Sequence, residues 1–248
     1  MMKKKILLCI GFCLLFGTMA RAQDDIPTID PIGTANIPDK GEETGKTFSG
    51  SAPLTVRFQA NAENTAGWNA YYEWRFTLTD LQGREEEAPY LLRYEQDTEV
   101  TFTKAGMHKA VLYAVFTQGT DSVPYTEEYW ETATPITVSI SESRLDMPNA
   151  FSPNNGDDIN NIYRAKPDYQ SIVEFHAYIF NRWGQKLYEW HDPAGGWDGK
   201  YKGKDVAQGV YYCLVKAKGA DGRVYNFHTD VNLLRGFTED TGVNNMNQ

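Results

Sequence analysis

Between residues 54 and 140, large apolar side chains recur at every second position. Leu54, Val56 and Phe58 alternate with Thr55, Arg57 and Gln59, and Tyr72, Trp74, Phe76 and Leu78 alternate with Glu73, Arg75, Thr77 and Thr79. A period of two puts successive side chains on opposite faces of an extended strand, one face buried and the other wet. Val100 and Phe102, the run from Ala110 to Phe116, and Ile136, Val138 and Ile140 continue the pattern. No stretch of comparable length shows a helical period with caps. The chain is therefore expected to be all-β, and short strands separated by turn residues predict tandem antiparallel β-sandwiches.

The 248 residues suffice for two domains of sandwich size. Residues 23–50 hold Pro27, Pro31, Pro38, Gly33, Gly41, Gly45 and Gly50 with few large apolar residues, and read as a flexible linker. The first sandwich is expected over 51–141. The polar stretch Ser141-Glu142-Ser143-Arg144 reads as a hinge open to proteolysis, followed by a second domain over 145–236 and a flexible tail over 237–248.

The N-terminus reads as a signal peptide over 1–22. Lys3, Lys4 and Lys5 precede the apolar run Ile6 to Phe16, and Ala20-Arg21-Ala22 offers small residues where a signal peptidase cuts, leaving Gln23 as the new N-terminus. A lipoprotein signal would need a cysteine at the end of that run, whereas Cys9 and Cys13 lie within it. The apolar run is short for a bilayer span and no second run is longer, so no transmembrane segment is expected in the mature chain. The net charge is −9, and the leader removes four basic residues. A mature chain that acidic disfavours nucleic acid and anionic membranes as partners. Of the three cysteines only Cys213 lies outside the leader, which leaves no internal disulfide; its strand position predicts an inward, hydrophobe-like role.

Three blocks of the first domain resemble a PKD or related immunoglobulin-like domain. They are Ser51 to Phe58 (opening strand), Tyr72-Glu73-Trp74-Arg75-Phe76 (central strand) and Phe102 to Val111, with a turn at Gly106. Trp74 is expected at the sandwich centre. The Gly-Asp-Gly turn usual after the tryptophan strand is replaced by Leu78-Thr79-Asp80-Leu81.

The second domain carries five blocks in order. Asn149-Ala150-Phe151-Ser152-Pro153-Asn154-Asn155-Gly156-Asp157-Asp158 opens it, followed by Ile179-Phe180-Asn181-Arg182-Trp183-Gly184, then Trp197-Asp198-Gly199, then Gly209-Val210-Tyr211-Tyr212, and finally Val231 to Arg235. This succession resembles the gliding motility-associated C-terminal domain, the type B sorting domain of the type IX secretion system. Three features depart from that pattern. The opening loop has one extra residue, Asp158 and Asn161 stand where Gly and Asp are usual, and the chain continues past Arg235. The resemblance implies a sorting motif of Asn181, Arg182, Trp183, Gly184, Trp197, Asp198, Gly199, Gly209, Tyr211 and Arg235. It implies an outer-membrane β-barrel component of the type IX apparatus as partner, and a location at the cell surface, the outer membrane or outside the cell. Read physically, Asn181 to Gly184 is a hairpin corner with Trp183 capping the sandwich, and Trp197 is a second anchor.

No catalytic fingerprint is present, and Glu85-Glu86-Glu87 reads as a solvated loop, so a non-enzymatic surface or envelope protein is expected. No cofactor is expected. Asn154, Asn155, Asp157, Asp158, Asn160 and Asn161 concentrate hard oxygen donors beside Gly156; they read first as turn formers, with calcium as the alternative occupant. His108, His176, His191 and His228 are far apart in sequence, and His176 and His228 fall on strand positions expected to face solvent. Trp68, Tyr71, Tyr90, Tyr125, Tyr129 and Trp130 lie in or near expected loops. They keep open a second reading, in which the first sandwich is an adhesin or carbohydrate-binding module with a glycan or protein ligand.

Overall fold

The computed structural model describes residues 26–38, 40–153 and 160–235. The leader expected over 1–22, most of the donor loop and the tail beyond Arg235 lie outside the described residues. Among those described, the chain is built from strands, with one helical turn, α1, at Glu127–Trp130.

The first unit is a two-sheet, immunoglobulin-like sandwich. Its strands are β1 (Ile32–Ile37), β2 (Gly41–Gly45), β3 (Thr47–Gly50), β4 (Leu54–Gln59), β5 (Asn69–Thr79), β6 (Leu91–Arg93), β7 (Thr98–Phe102), β8 (Gly106–Gln118), β9 (Asp121–Tyr125) and β10 (Ile136–Ile140). One sheet has the order β2-β1-β4-β7; the other has β3-β10-β8-β5-β6, with β9 also on β8. The alternating residues face inward as expected. Trp74, Phe76, Val56 and Phe58 are fully buried. The Phe58 ring meets those of Trp74, Phe76 and Phe102 at 5.2–6.2 Å. The Trp74 indole N–H donates to the Gln96 carbonyl at 3.1 Å, so the buried ring leaves no polar atom orphaned. Gly106, at φ +129°, passes so close to β5 that a Cβ there would lie 2.5 Å from the Thr79 carbonyl oxygen.

The expected linker is corrected. The strands β1, β2 and β3 lie within it; β1 pairs with both β2 and β4, and β3 runs parallel to β10. Gly33, read as part of a flexible linker, instead permits close packing. A Cβ on Gly33 would lie 2.6 Å from the Phe48 ring, which fills the space beside it. Ala35, Ile37 and Phe48 are buried.

β8 changes partners along its length. Its first half pairs with β10 up to Ala110–Ile136, and its second half pairs with β9 from Ala114–Tyr125. The Leu112 carbonyl falls between these two ladders. The Trp130 indole N–H, carried by α1, donates to it at 2.9 Å, which satisfies a buried acceptor that neither strand reaches.

The second unit comprises β11 (Ala150–Phe151), β12 (Ile172–Phe180), β13 (Lys186–Trp190), β14 (Lys200–Tyr201), β15 (Lys204–Asp205), β16 (Gly209–Gly219) and β17 (Val224–Leu233). Five strands form a sheet in the order β11-β17-β16-β12-β13, and β14 pairs with β15. The inner sheet face, with Phe151, Ala177, Ile179, Val215, Val231 and Leu233, packs on Tyr163 and Trp197 from the covering loops. Cys213 is buried on this face. Burial pushes its thiol up to about 12, although the Tyr163 hydroxyl beside it pulls the other way.

The stretch read as a hinge is fastened down. Ser143 is buried, and its hydroxyl donates to Asp221 at 2.6 Å and lies 2.9 Å from the Tyr225 hydroxyl. Leu145 is buried as well. Ser171 joins the two units. Its hydroxyl accepts the Ala52 N–H at 3.1 Å and lies 2.9 Å from the Ser141 hydroxyl, while its carbonyl accepts the Ala220 N–H at 2.9 Å. The Ala220 carbonyl in turn accepts the Ala105 N–H at 3.0 Å. Ser171 holds φ at +48°, a conformation unfavourable for a residue with a Cβ and sustained here by bonds on every side.

Candidate sorting surface

The β12–β13 hairpin turns at Asn181 to Gly184. The Asn181 side-chain oxygen accepts the N–H groups of Trp183 and Gln185, each at 3.0 Å, and its backbone carbonyl accepts the Gly184 N–H. Gly184, at φ +77°, supplies the left-handed residue that the corner needs. A bond from the Gln185 side chain to the Tyr201 hydroxyl at 3.1 Å ties the hairpin to β14. Trp183 does not cap the sandwich. It is 81% exposed and stands off the tip, with the Arg182 guanidinium 5.3 Å from its ring centre. The turn folds back on its own asparagine, so the indole is turned away from the sheet that a cap would cover.

The other motif residues converge. Trp197 is fully buried, its indole N–H donates to the Lys200 carbonyl at 2.8 Å, and its ring lies 5.1 Å from that of Tyr211. Asp198 accepts the Lys200 N–H at 3.1 Å, and Gly199 turns the chain at φ +79°. Gly209, at φ +149°, starts β16, and the Tyr211 hydroxyl donates to the Ala207 carbonyl at 2.7 Å. Arg235 closes the group by donating to the carbonyls of Val206 and Gly199, each at 3.1 Å, with Asp205 at 3.5 Å. The end of the last strand and the Trp197 turn are thus one fastened structure.

Of the donor-loop residues, Asn154, Asn155, Asp157 and Asp158 lie outside the described residues. Asn160 is exposed, and its carbonyl accepts the Ser152 N–H at 2.9 Å. Among the described residues, no group of three or more His, Cys, Asp or Glu side chains could hold a metal ion. No helix among them is long and apolar enough to cross a membrane.

The six loop aromatics do not form one patch. Trp68, Tyr90, Tyr125, Tyr129 and Trp130 pack against the first core, and the hydroxyls of Tyr90 and Tyr125 bond to His108 and to the Pro27 carbonyl. Tyr71 is half exposed beside the exposed Tyr94. The histidines also differ from their linear reading. His108 is buried between Tyr90 and the Lys104 carbonyl, and His176 and His191, fifteen residues apart, come within 2.8 Å. Sequence reasoning could not have found this pair: a turn centred on Asn181 to Gly184 would set His176 opposite Glu189, and it is the β-bulge between Ile179 and Phe180 that shifts the register and brings His191 opposite His176.

With the geometry in place, the family comparison decides the second unit. Residues 145–228 match the type IX secretion signal domain model, CHU_C. The match covers the covering loops, the hairpin and most of the five-stranded sheet, and leaves the first sandwich outside it. No curated protein matches the chain. Among solved structures, the chain is similar to the fibronectin(III)-like modules of Clostridium thermocellum CbhA, at 12% identity over 85% of this chain and 95% of that one, with a TM-score of 0.20. It is also similar to the FN1-FN3 domains of chicken CNTN1, at 8% identity over 74% and 62%, with a TM-score of 0.26. DIP-gamma IG1+IG2 aligns at 9% identity over 86% and 99%, with a TM-score of 0.21. The scores are low, and the fold assignment rests on strand order and register. The match takes in the hairpin and every converged motif residue except Arg235, which lies beyond its end.

Proposed function

We propose that this chain is an exported, non-enzymatic surface protein. In this reading the first sandwich is presented outside the cell, and the type IX signal domain directs its passage through an outer-membrane β-barrel component of the secretion apparatus. The observation that carries the reading is the pairing of the family match with an indole held out on a rigid turn. A large aromatic costs solubility when exposed, and Trp183 packs into no core among the described residues; exposed tryptophan beside arginine is the composition of a binding hot spot. The leader sequence supplies the first export step, and the signal domain the second.

Surface display tests this. Trp183→Ala should leave the melting temperature nearly unchanged and reduce the fraction of protein accessible to external protease in cells that have the type IX apparatus. Removal of residues 145–248 should strand the first sandwich in the periplasm. Full display of the truncated chain would refute the sorting role. The adhesin reading narrows to the Tyr71–Tyr94 pair, since the other loop aromatics are committed to the core.

A further inference from the structure

At the open end of the hairpin that carries Trp183, two histidines face each other across neighbouring strands. The register pairs Ala177 with Trp190, both inward, so the next pair outward is His176 and His191. Both are exposed. Their Nδ1 atoms lie 2.8 Å apart, and the rings sit 4.6 Å apart at 73°, edge to face rather than stacked. Tyr178 pairs with Glu189, which places the Glu189 carboxylate on the same outward face, where it interacts electrostatically with both imidazoles. Lys186 holds that carboxylate at 2.6 Å, and Lys216 lies opposite His176 on β16.

We propose that His176 and His191 form a two-point chelate for a borderline divalent transition-metal ion such as Zn²⁺, with water completing the coordination. Imidazole nitrogens bind zinc at about 2.0–2.1 Å, so two of them meeting one ion at angles from 90° to tetrahedral stand about 2.9–3.4 Å apart. The Nδ1–Nδ1 distance needs to open by about a few tenths of an ångström, and the two exposed rings must turn so that both lone pairs point at the ion instead of along the line between the nitrogens. Without metal, one Nδ1 must carry a proton to bond the other; with metal, both Nδ1 atoms present lone pairs, and that ring takes its proton on Nε2 instead, a change of tautomer with no net release of protons. Glu189 contributes negative charge beside the ion. The ion would staple the two strands at the end opposite the turn, and so stiffen the hairpin that holds Trp183 out. This inference does not depend on the sorting role.

Isothermal titration of Zn²⁺ into the chain lacking residues 1–22 tests it. Saturable one-to-one binding is expected, together with slower amide exchange in β12 and β13. Both His176→Ala and His191→Ala should abolish the saturable phase, while His228→Ala, on the same sheet face, should leave it intact. Ca²⁺, which prefers oxygen donors, should not compete. Zinc binding that survives His176→Ala/His191→Ala, or no binding to the unsubstituted chain, would overturn the proposal. Circular dichroism of each variant separates loss of the site from loss of the fold.

Discussion

Trp183 and Trp197 sit in similar local sequences, each an indole followed within two residues by a glycine turn, yet one is exposed and the other is fully enclosed. Trp197→Ala should therefore cost about 3–5 kcal/mol in urea unfolding, as for deleting a large core aromatic. Trp183→Ala should fall within about 0.5 kcal/mol, as for a surface change. Equal costs would contradict the burial described. The difference was not legible in the sequence, because it is decided by distant partners: Phe151 and Tyr211 enclose Trp197, whereas the Asn181 turn carries Trp183 away from any such partners. Cys213 shows the opposite case. Its alternation with Val215 and Ala217 declared it inward, and it is buried. In the chain lacking the leader, a thiol reagent at pH 8 should label Cys213 only after denaturation.

At the scale of elements, β4, β5, β7, β8 and β10 were legible because bulky residues mark one face of each. β1 to β3 were not, because the packing there uses absence of bulk. Gly33 makes room for Phe48, and pairing to β4 and β10 supplies the order that composition alone does not advertise. The partner change in β8 was equally hidden, since no local pattern says that Trp130 must cap Leu112. Trp130→Phe keeps most of the ring contact and removes the donor. Leaving that carbonyl unpaired should cost about 1–3 kcal/mol. Hydrogen exchange should report the loss first at the junction between the β9 and β10 ladders, and uniform destabilisation would argue against a local cap.

For the whole molecule, the stretch Ser141 to Arg144 expected as a hinge is a hydrogen-bonded joint with Ser143 buried, and limited proteolysis of the native chain should spare it. Asp221 is its electrostatic centre. Burial disfavours its charge, but hydrogen bonds from the Ser143 hydroxyl and from the Arg223 and Ser143 N–H groups more than offset this, and its carboxyl is held below the usual range. A depressed carboxyl contributes stability above its unfolded value, and that contribution is lost as pH falls through the folded value. The joint should hold from neutral pH down to the ordinary carboxylate range and weaken below it. Calorimetry should then show one transition at pH 7 and a separation into two under more acidic conditions; two transitions at pH 7 would mean the joint does not couple the units.

The parallel pairing of β3 and β10 has a mechanical consequence. Four residue pairs, from Thr47–Thr137 at one end to Gly50–Ile140 at the other, tie the strand that leaves the first sandwich to one near its start, while β10 is also bonded antiparallel to β8. Tension drawn through the signal domain would load these bonds in shear, all at once, instead of opening them one after another. A tether built this way resists drag at its root, and stretching by optical tweezers should extend the signal domain before the first sandwich gives.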